Sequence, residues 1–300
     1  MNPLIQIKLG ITRFLGPDKW NDILLKSGFK KFKKAQPELA AEVEKNIKYK
    51  DCHKGERCFI IGNGPSLKEQ DLSRLSGEYV LTCNQIMRNP VFPQLRTSYH
   101  FWADPTFFAL SPDRPEDMEI LEVMLSVNTN DNKPVNFFAQ EGYDFAKRFN
   151  LKEKLDIAFY SHRLELTDSF NNGIHFERFT PNLHTVVHYA VAMAIYMGFS
   201  EIYLLGCDCT NVITAANTRL MAGDGAEYAY NISENEKKRM MNRNSAISME
   251  DELKSFYEVF KGYRVLRDIC EKTGIKFYNC TAGGLLDCVE RKKYEDVIGR

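Results

Sequence analysis

The stretch "CFIIGNGPSL", residues 58–67, decides how this chain is read. Four apolar residues run straight into a loop with two glycines, Gly62-Asn63-Gly64-Pro65-Ser66. A continuous apolar run closed by turn residues marks a strand covered on both faces, as in a parallel sheet. Glycine at 62 and 64 lets backbone come close to a ligand, since no Cβ stands in the way. Ser66 followed by Glu69 has the spacing of a capping box, so the loop is expected to open a helix whose N–H groups favour an anion. The dinucleotide fingerprint is broken, because Leu67 stands where its third glycine belongs, and no Gly-Lys-Ser/Thr follows to make a Walker A loop.

Short β-rich runs recur at 79–82, 98–102, 135–138, 157–160, 202–205 and 276–278. Helical patterns lie between several of them, notably His184–Met197 and Met249–Thr273. Strands alternating with helices predict an α/β, Rossmann-like fold with a mostly parallel sheet flanked by helices. In such sheets ligands bind beyond the carboxyl ends of the strands, so the residues after each strand define the expected site. The second run delivers Asn84 and Gln85, the third Asp104, and the sixth Gly206 and Asp208. The two carboxylates suit a ribose, a Mg²⁺ ion or a turn cap. No Asp-x-Asp occurs, and neither a resident metal nor a cofactor is expected. His184 and His188 stand four apart on one expected helix face, either as catalytic groups or as one cap and one core residue.

The chain has 300 residues with 40 basic and 40 acidic side chains, so no net charge recruits nucleic acid. Its N-terminal 50 residues are expected to form a basic helical arm ahead of a catalytic domain over 51–300. Up to Lys34 that arm holds eight Lys and Arg against two Asp, interleaved with aromatic residues such as Phe29 and Phe32. Such a pattern suits either a solvated face or attachment to an anionic membrane surface. Eight scattered cysteines without paired Cys-x-x-Cys units, and no apolar leader, point to a reducing cytoplasmic setting. The polar stretch 210–248 reads as a long loop or lid over the site.

The segment "IIGNGPSLKEQDLSRLSGEYVLTCNQ", 60–85, resembles the nucleotide-binding segment of bacterial CMP-sialic-acid-dependent sialyltransferases that decorate lipooligosaccharide. It is also similar to the wider superfamily of 6-hydroxymethylpterin diphosphokinase (MptE)-like domains. "TVVHYAVAMAIYMGFSEIYLLGCD", 185–208, and "TGIKFYNCTAGGLLD", 273–287, extend the resemblance. It implies that Asn63 and Asn84 contact CMP, that Thr185 belongs to the donor-sugar loop and that Tyr228 supports the leaving phosphate. Val186 and Val187 depart from that family's Ser-Gly, Asp104 stands for its Asn, and no histidine follows His188 where its base would lie. The expected function is transfer of a sugar from a nucleotide donor, CMP-linked, to a surface glycan, without metal. The alternatives are ATP-dependent pyrophosphate transfer to a pterin-like alcohol, with Asp104 and Asp208 as Mg²⁺ ligands, or nucleotide binding without catalysis.

Overall fold

The computed structural model describes residues 17–299 except 169, 171, 172, 220–233 and 235–246. Eight strands form one sheet: β1 (Arg57–Ile61), β2 (Tyr79–Cys83), β3 (Tyr99–Trp102), β4 (Val135–Ala139), β5 (Asp156–Leu164), β6 (Phe179–Pro181), β7 (Glu201–Leu205) and β8 (Lys276–Asn279). Their order is β6-β5-β4-β3-β2-β1-β7-β8, and every neighbouring pair is parallel. The α/β reading of the sequence therefore holds, with strand bounds within a residue or two except at β5, which runs on to Leu164, and at β6, which was not expected.

The helices are α1 (Pro17–Ala35), α2 (Pro37–Glu44), α3 (Pro115–Leu125), α4 (Gly142–Arg148), α5 (Val186–Met197), α6 (Asn211–Arg219), α7 (Met249–Thr273) and α8 (Tyr294–Ile298). The chain lays down β1 to β6 in one direction, then α5 carries it back across the sheet to β7, on the other side of β1. The seam between β1 and β7 is thus the switch point where such sheets open a crevice. α5 is apolar almost all round and buried along its length, because it lies between β1–β3 and α7. Its bounds are set by Thr185, whose hydroxyl accepts from the His188 N–H, and by Gly198 in the left-handed region at φ 84°. α7 keeps the limits its sequence suggests, from the Ser248 cap, which accepts from Asp251 N–H at 3.1 Å, to Gly274.

The basic arm packs on the sheet's β6 edge. Phe29 and Phe32 of α1 lie 5.3 and 5.5 Å from the Phe179 ring, and Arg163 sits over Phe32 at 4.6 Å. Leu39, Ala40 and Val43 of α2 are buried against β5. Just beyond α2, Asn46 donates to the Phe159 and Phe176 carbonyls at 2.7 and 3.0 Å. Phe29 and Phe32 are consumed in this way, while Lys26, Lys30, Lys31, Lys33 and Lys34 stay exposed. No helix among the described residues is long and apolar enough to cross a membrane.

Candidate functional site

A cavity of about 530 Å³ opens beyond the carboxyl ends of β1, β2, β3, β5 and β7. Of the expected site residues, Gly62, Asn63, Gly64, Asn84, Gln85, Asp104, His184, Thr185, Gly206 and Asp208 all line it. Ser66 and His188 do not, and Tyr228 lies outside the described residues.

The β1 loop is shaped chiefly by what it packs against. Gly62 N–H donates to the Leu205 carbonyl at 2.8 Å and Gly64 N–H to the Gly206 carbonyl at 2.9 Å, so the ladder between β1 and β7 runs on into the loops. A Cβ on Gly62 would lie 2.4 Å from the Gly206 oxygen, and one on Gly64 only 1.7 Å from Asp208 Oδ2. These glycines are needed to seat the β7 loop, a tighter demand than closeness to a ligand. Gly206 itself has φ 62°, and a Cβ there would strike Leu67 at 2.5 Å.

Ser66 corrects the capping-box expectation. The segment Pro65–Glu69 is a short 3₁₀ turn that begins after Gly64, with no side-chain cap. The Ser66 hydroxyl instead donates to Asp208 Oδ2 at 2.7 Å, and its N–H to Oδ1 at 3.3 Å. Burial pushes the Asp208 carboxyl up, only partly offset by the bonds from Ser66. Asp104 ends β3 as a turn cap, with Oδ1 accepting from Thr106 N–H at 2.9 Å and from its hydroxyl at 2.8 Å. The two carboxylates expected to share a metal are therefore each engaged by a neighbouring hydroxyl. Among the described residues no group of three His, Cys, Asp or Glu is placed to hold a metal ion.

The two asparagines behave differently. Asn63 Nδ2 donates to the Cys83 carbonyl at 3.0 Å, tying the β1 loop to the end of β2 and fixing which way the amide faces. Asn84, just past the end of β2, adopts φ 51°, a left-handed conformation that asparagine tolerates. The amide oxygens of both are sealed from water and without a donor among the described residues. A buried acceptor left this way costs roughly 1–3 kcal/mol, which a ligand hydroxyl or amine entering between the loops would relieve. Gln85, by contrast, accepts from Arg88 Nε at 2.7 Å.

The two expected histidines separate. His184 precedes α5, lines the cavity and has Nε2 2.9 Å from the Ser255 hydroxyl of α7. Burial holds its imidazole below the usual range, so it is neutral at pH 7. His188 lies inside α5, fully buried, edge-on to Tyr263 at 4.3 Å, and a Cβ on Gly262 would strike its ring at 2.3 Å. Neither ring nitrogen makes a well-formed bond, the Val259 carbonyl being the nearby acceptor, and burial pushes the group down to about 3. It is a neutral core residue, which corrects its place among the catalytic candidates. Within the expected 210–248 loop, residues 211–219 form α6 instead.

The cavity wall also holds residues that the sequence reading passed over: His162 at the end of β5, Asn182 after β6, and Tyr189 of α5. His162 Nε2 lies 3.0 Å from Glu141 Oε2, and Nδ1 lies 3.1 Å from Asn182 Oδ1. The signal was present, because His162 stands at the carboxyl end of a strand, as Asn84, Asp104 and Asp208 do. Among the described lining residues there is no Lys or Arg.

Comparison with known proteins finds solved structures of similar fold, among them the following two. The sialyltransferase CstII from Campylobacter jejuni, in complex with a substrate analogue, cytidine-5′-monophosphate, aligns at TM-score 0.44 and 18% identity over 79% of this chain and 85% of that one. The MAf glycosyltransferase from Magnetospirillum magneticum AMB-1 aligns at TM-score 0.48 and 14% identity, over 86% of this chain but only 39% of that one. No family model and no curated protein sequence matches the chain.

Proposed function

We propose that this chain is a sialyltransferase-like glycosyltransferase that binds a CMP-linked sugar in the carboxyl-edge cavity and transfers the sugar to a surface glycan. The observation that carries this reading is the pair of unpartnered amide oxygens of Asn63 and Asn84 in one cavity wall at the β1/β2 edge. They suit the hydroxyls of a ribose or the exocyclic amine of cytosine. The N-terminus of α5, which reaches the cavity through Thr185, Val186 and Val187, is the end that favours a phosphate. A lining without Lys or Arg among its described residues fits a single phosphate better than a triphosphate.

In the reaction, an acceptor oxygen forms a bond to the anomeric carbon while the bond from that carbon to the phosphate oxygen breaks. The acceptor proton needs a base and the departing CMP keeps the electron pair. His184, neutral at pH 7 and lining the cavity, is the preferred base, with Asp208 and Asp104 as the other groups in reach of the cavity. Base assistance of this kind contributes roughly 10²–10⁴-fold. Tyr228 and closure of the 210–248 segment over the donor belong to this proposal as well. So does a cytoplasmic protein resting on the inner, anionic face of a membrane through the exposed lysines of α1.

The test is a thermal-shift series with CMP, UMP, GDP and ATP, each with and without Mg²⁺. At 100 times its Kd a ligand adds about 2.7 kcal/mol of apparent stability. The expected result is a rise with CMP that does not need Mg²⁺. A rise with ATP that depends on Mg²⁺ would favour the diphosphokinase reading, and no rise with any nucleotide would end the nucleotide reading.

A further inference from the structure

On the side of the cavity away from Asn63, a line of hydrogen bonds runs from Glu141 through His162 to Asn182. Its directions can be worked out from the partners. The Tyr189 hydroxyl accepts from Leu183 N–H at 3.0 Å, so its own proton goes to Asn182 Oδ1 at 3.4 Å. Asn182 Oδ1 is therefore an acceptor, and His162 Nδ1 must donate to it. The other ring nitrogen, Nε2, faces the Glu141 carboxylate at 3.0 Å, so the ring is held between the two partners. Burial, the largest influence on Glu141, raises its carboxyl, but His162 together with bonds from its own backbone and Gln140 leaves it below the usual range. Gln140 Nε2 donates to Glu141 Oε1 at 3.1 Å, and Asn182 N–H donates to the Leu164 carbonyl at 2.7 Å, which anchors both ends.

With Oδ1 committed to His162 and Tyr189, the amide of Asn182 has one orientation. Its NH₂ end is the remaining polar group, Asn182 is exposed in the cavity wall, and no described residue accepts from Nδ2. The cavity wall thus holds polar groups of opposite kind: the amide oxygens of Asn63 and Asn84, sealed from water and without a donor among the described residues, and an oriented donor at Asn182.

We propose that Asn182, held by His162 and Tyr189, forms a second subsite that donates a hydrogen bond to an oxygen of the sugar in a bound nucleotide-sugar. His162 and Glu141 are positioning residues here, acting through Asn182. This rests on the nucleotide reading of the same cavity and adds which side of it takes the sugar. The mixed His162–Glu141 pair keeps an unpaired carboxylate away from that side, so hydroxyl, carbonyl and carboxylate oxygens of a sugar are all acceptable there.

Asn182→Asp separates a donor from a scaffold. The carboxylate still accepts from His162 and Tyr189, so the network survives, but its other oxygen faces the cavity as an acceptor. Titration calorimetry of CMP and of CMP-N-acetylneuraminate compares the affinity gained from the sugar in each protein. In the native chain the sugar is expected to tighten binding about three- to tenfold over CMP, the range of one net hydrogen bond. Asn182→Asp is expected to abolish that gain with the CMP affinity and the melting temperature unchanged. Asn182→Ser, which is short of the cavity, is expected to lose the gain as well. A sugar-dependent gain that survives both substitutions overturns the subsite, as does equal loss of CMP and CMP-sugar affinity. CMP binding with no gain from the sugar in the native chain also overturns the subsite while leaving the nucleotide reading intact. Absence of CMP binding in the native chain overturns the nucleotide reading, and the subsite falls with it.

Discussion

The two sides of the cavity solve different problems with similar residues. At the β1/β7 seam, polar groups are turned on one another: Ser66 on Asp208, Gly64 N–H on Gly206, with no room for a single added carbon. At the β5/β6 edge, the line from Glu141 through His162 stops at an asparagine amide that still has a donor to give. The seam closes the sheet and holds the loops at fixed spacing, whereas the edge presents chemistry. A polar residue near a strand's carboxyl end is thus read by where its hydrogen bonds end, inside the protein or at the cavity.

If the seam is as tight as this contrast requires, Gly64→Ala produces the largest effect. Its Cβ would fall 1.7 Å from Asp208 Oδ2, a side chain already bonded to Ser66, and 2.7 Å from the backbone oxygen of Gly206, which cannot swing away. We expect a loss of about 3 kcal/mol or more in urea denaturation, at the upper end for forced overpacking. A change below about 1 kcal/mol would mean that the seam is slack and the contrast is lost.

Beneath the seam, His188 tests the distinction by pH. Burial drives its folded group down to about 3, while the unfolded chain titrates near 6.5. The unfolded state then binds the extra proton first, so this contribution to stability is complete above pH 6.5 and lost as pH falls from there toward 3. His188→Leu is expected to reduce the drop in stability between pH 7 and 5 by about 2 kcal/mol. The buried His100, also pushed down to about 3, keeps a similar slope in the variant. An unchanged acid slope would show that His188 is reached by water and returns it to the site.

The edge is expected to be far less sensitive. Glu141 and His162 are partly exposed, and pairs of that kind contribute about 0.5–1 kcal/mol at most. Glu141→Gln should therefore leave the denaturation midpoint almost unmoved. A loss as large as that of Gly64→Ala would make the edge structural and erase the difference between the two sides.

Much of the fold was legible because a two-sided parallel sheet demands apolar runs ended by turn residues, and seven of the eight strands have them. β6 was not, since Phe179–Pro181 is three residues ending in a proline and pairs only with β5 at the edge. The loops after β1, β2, β3 and β7 were legible from the strand ends, whereas the cavity-lining segment after β6 was not. What could not be seen locally was who answers whom. Ser66 and Glu69 have capping-box spacing, yet Asp208, 142 positions away, takes the serine. His184 and His188 share a spacing, yet α5 begins at Val186, leaving one outside the helix and the other beneath Gly262. Glu141, His162 and Asn182 belong to three separate segments that only the sheet order brings together.

The claim beneath all of this is that Asn63 serves a nucleotide and not merely the link to Cys83. Calorimetric titration of CMP into the native chain and Asn63→Ala decides it most directly. The account predicts measurable CMP binding that weakens roughly three- to tenfold in the variant, the worth of one lost hydrogen bond. Equal affinity in the two proteins, with both folded, would contradict it.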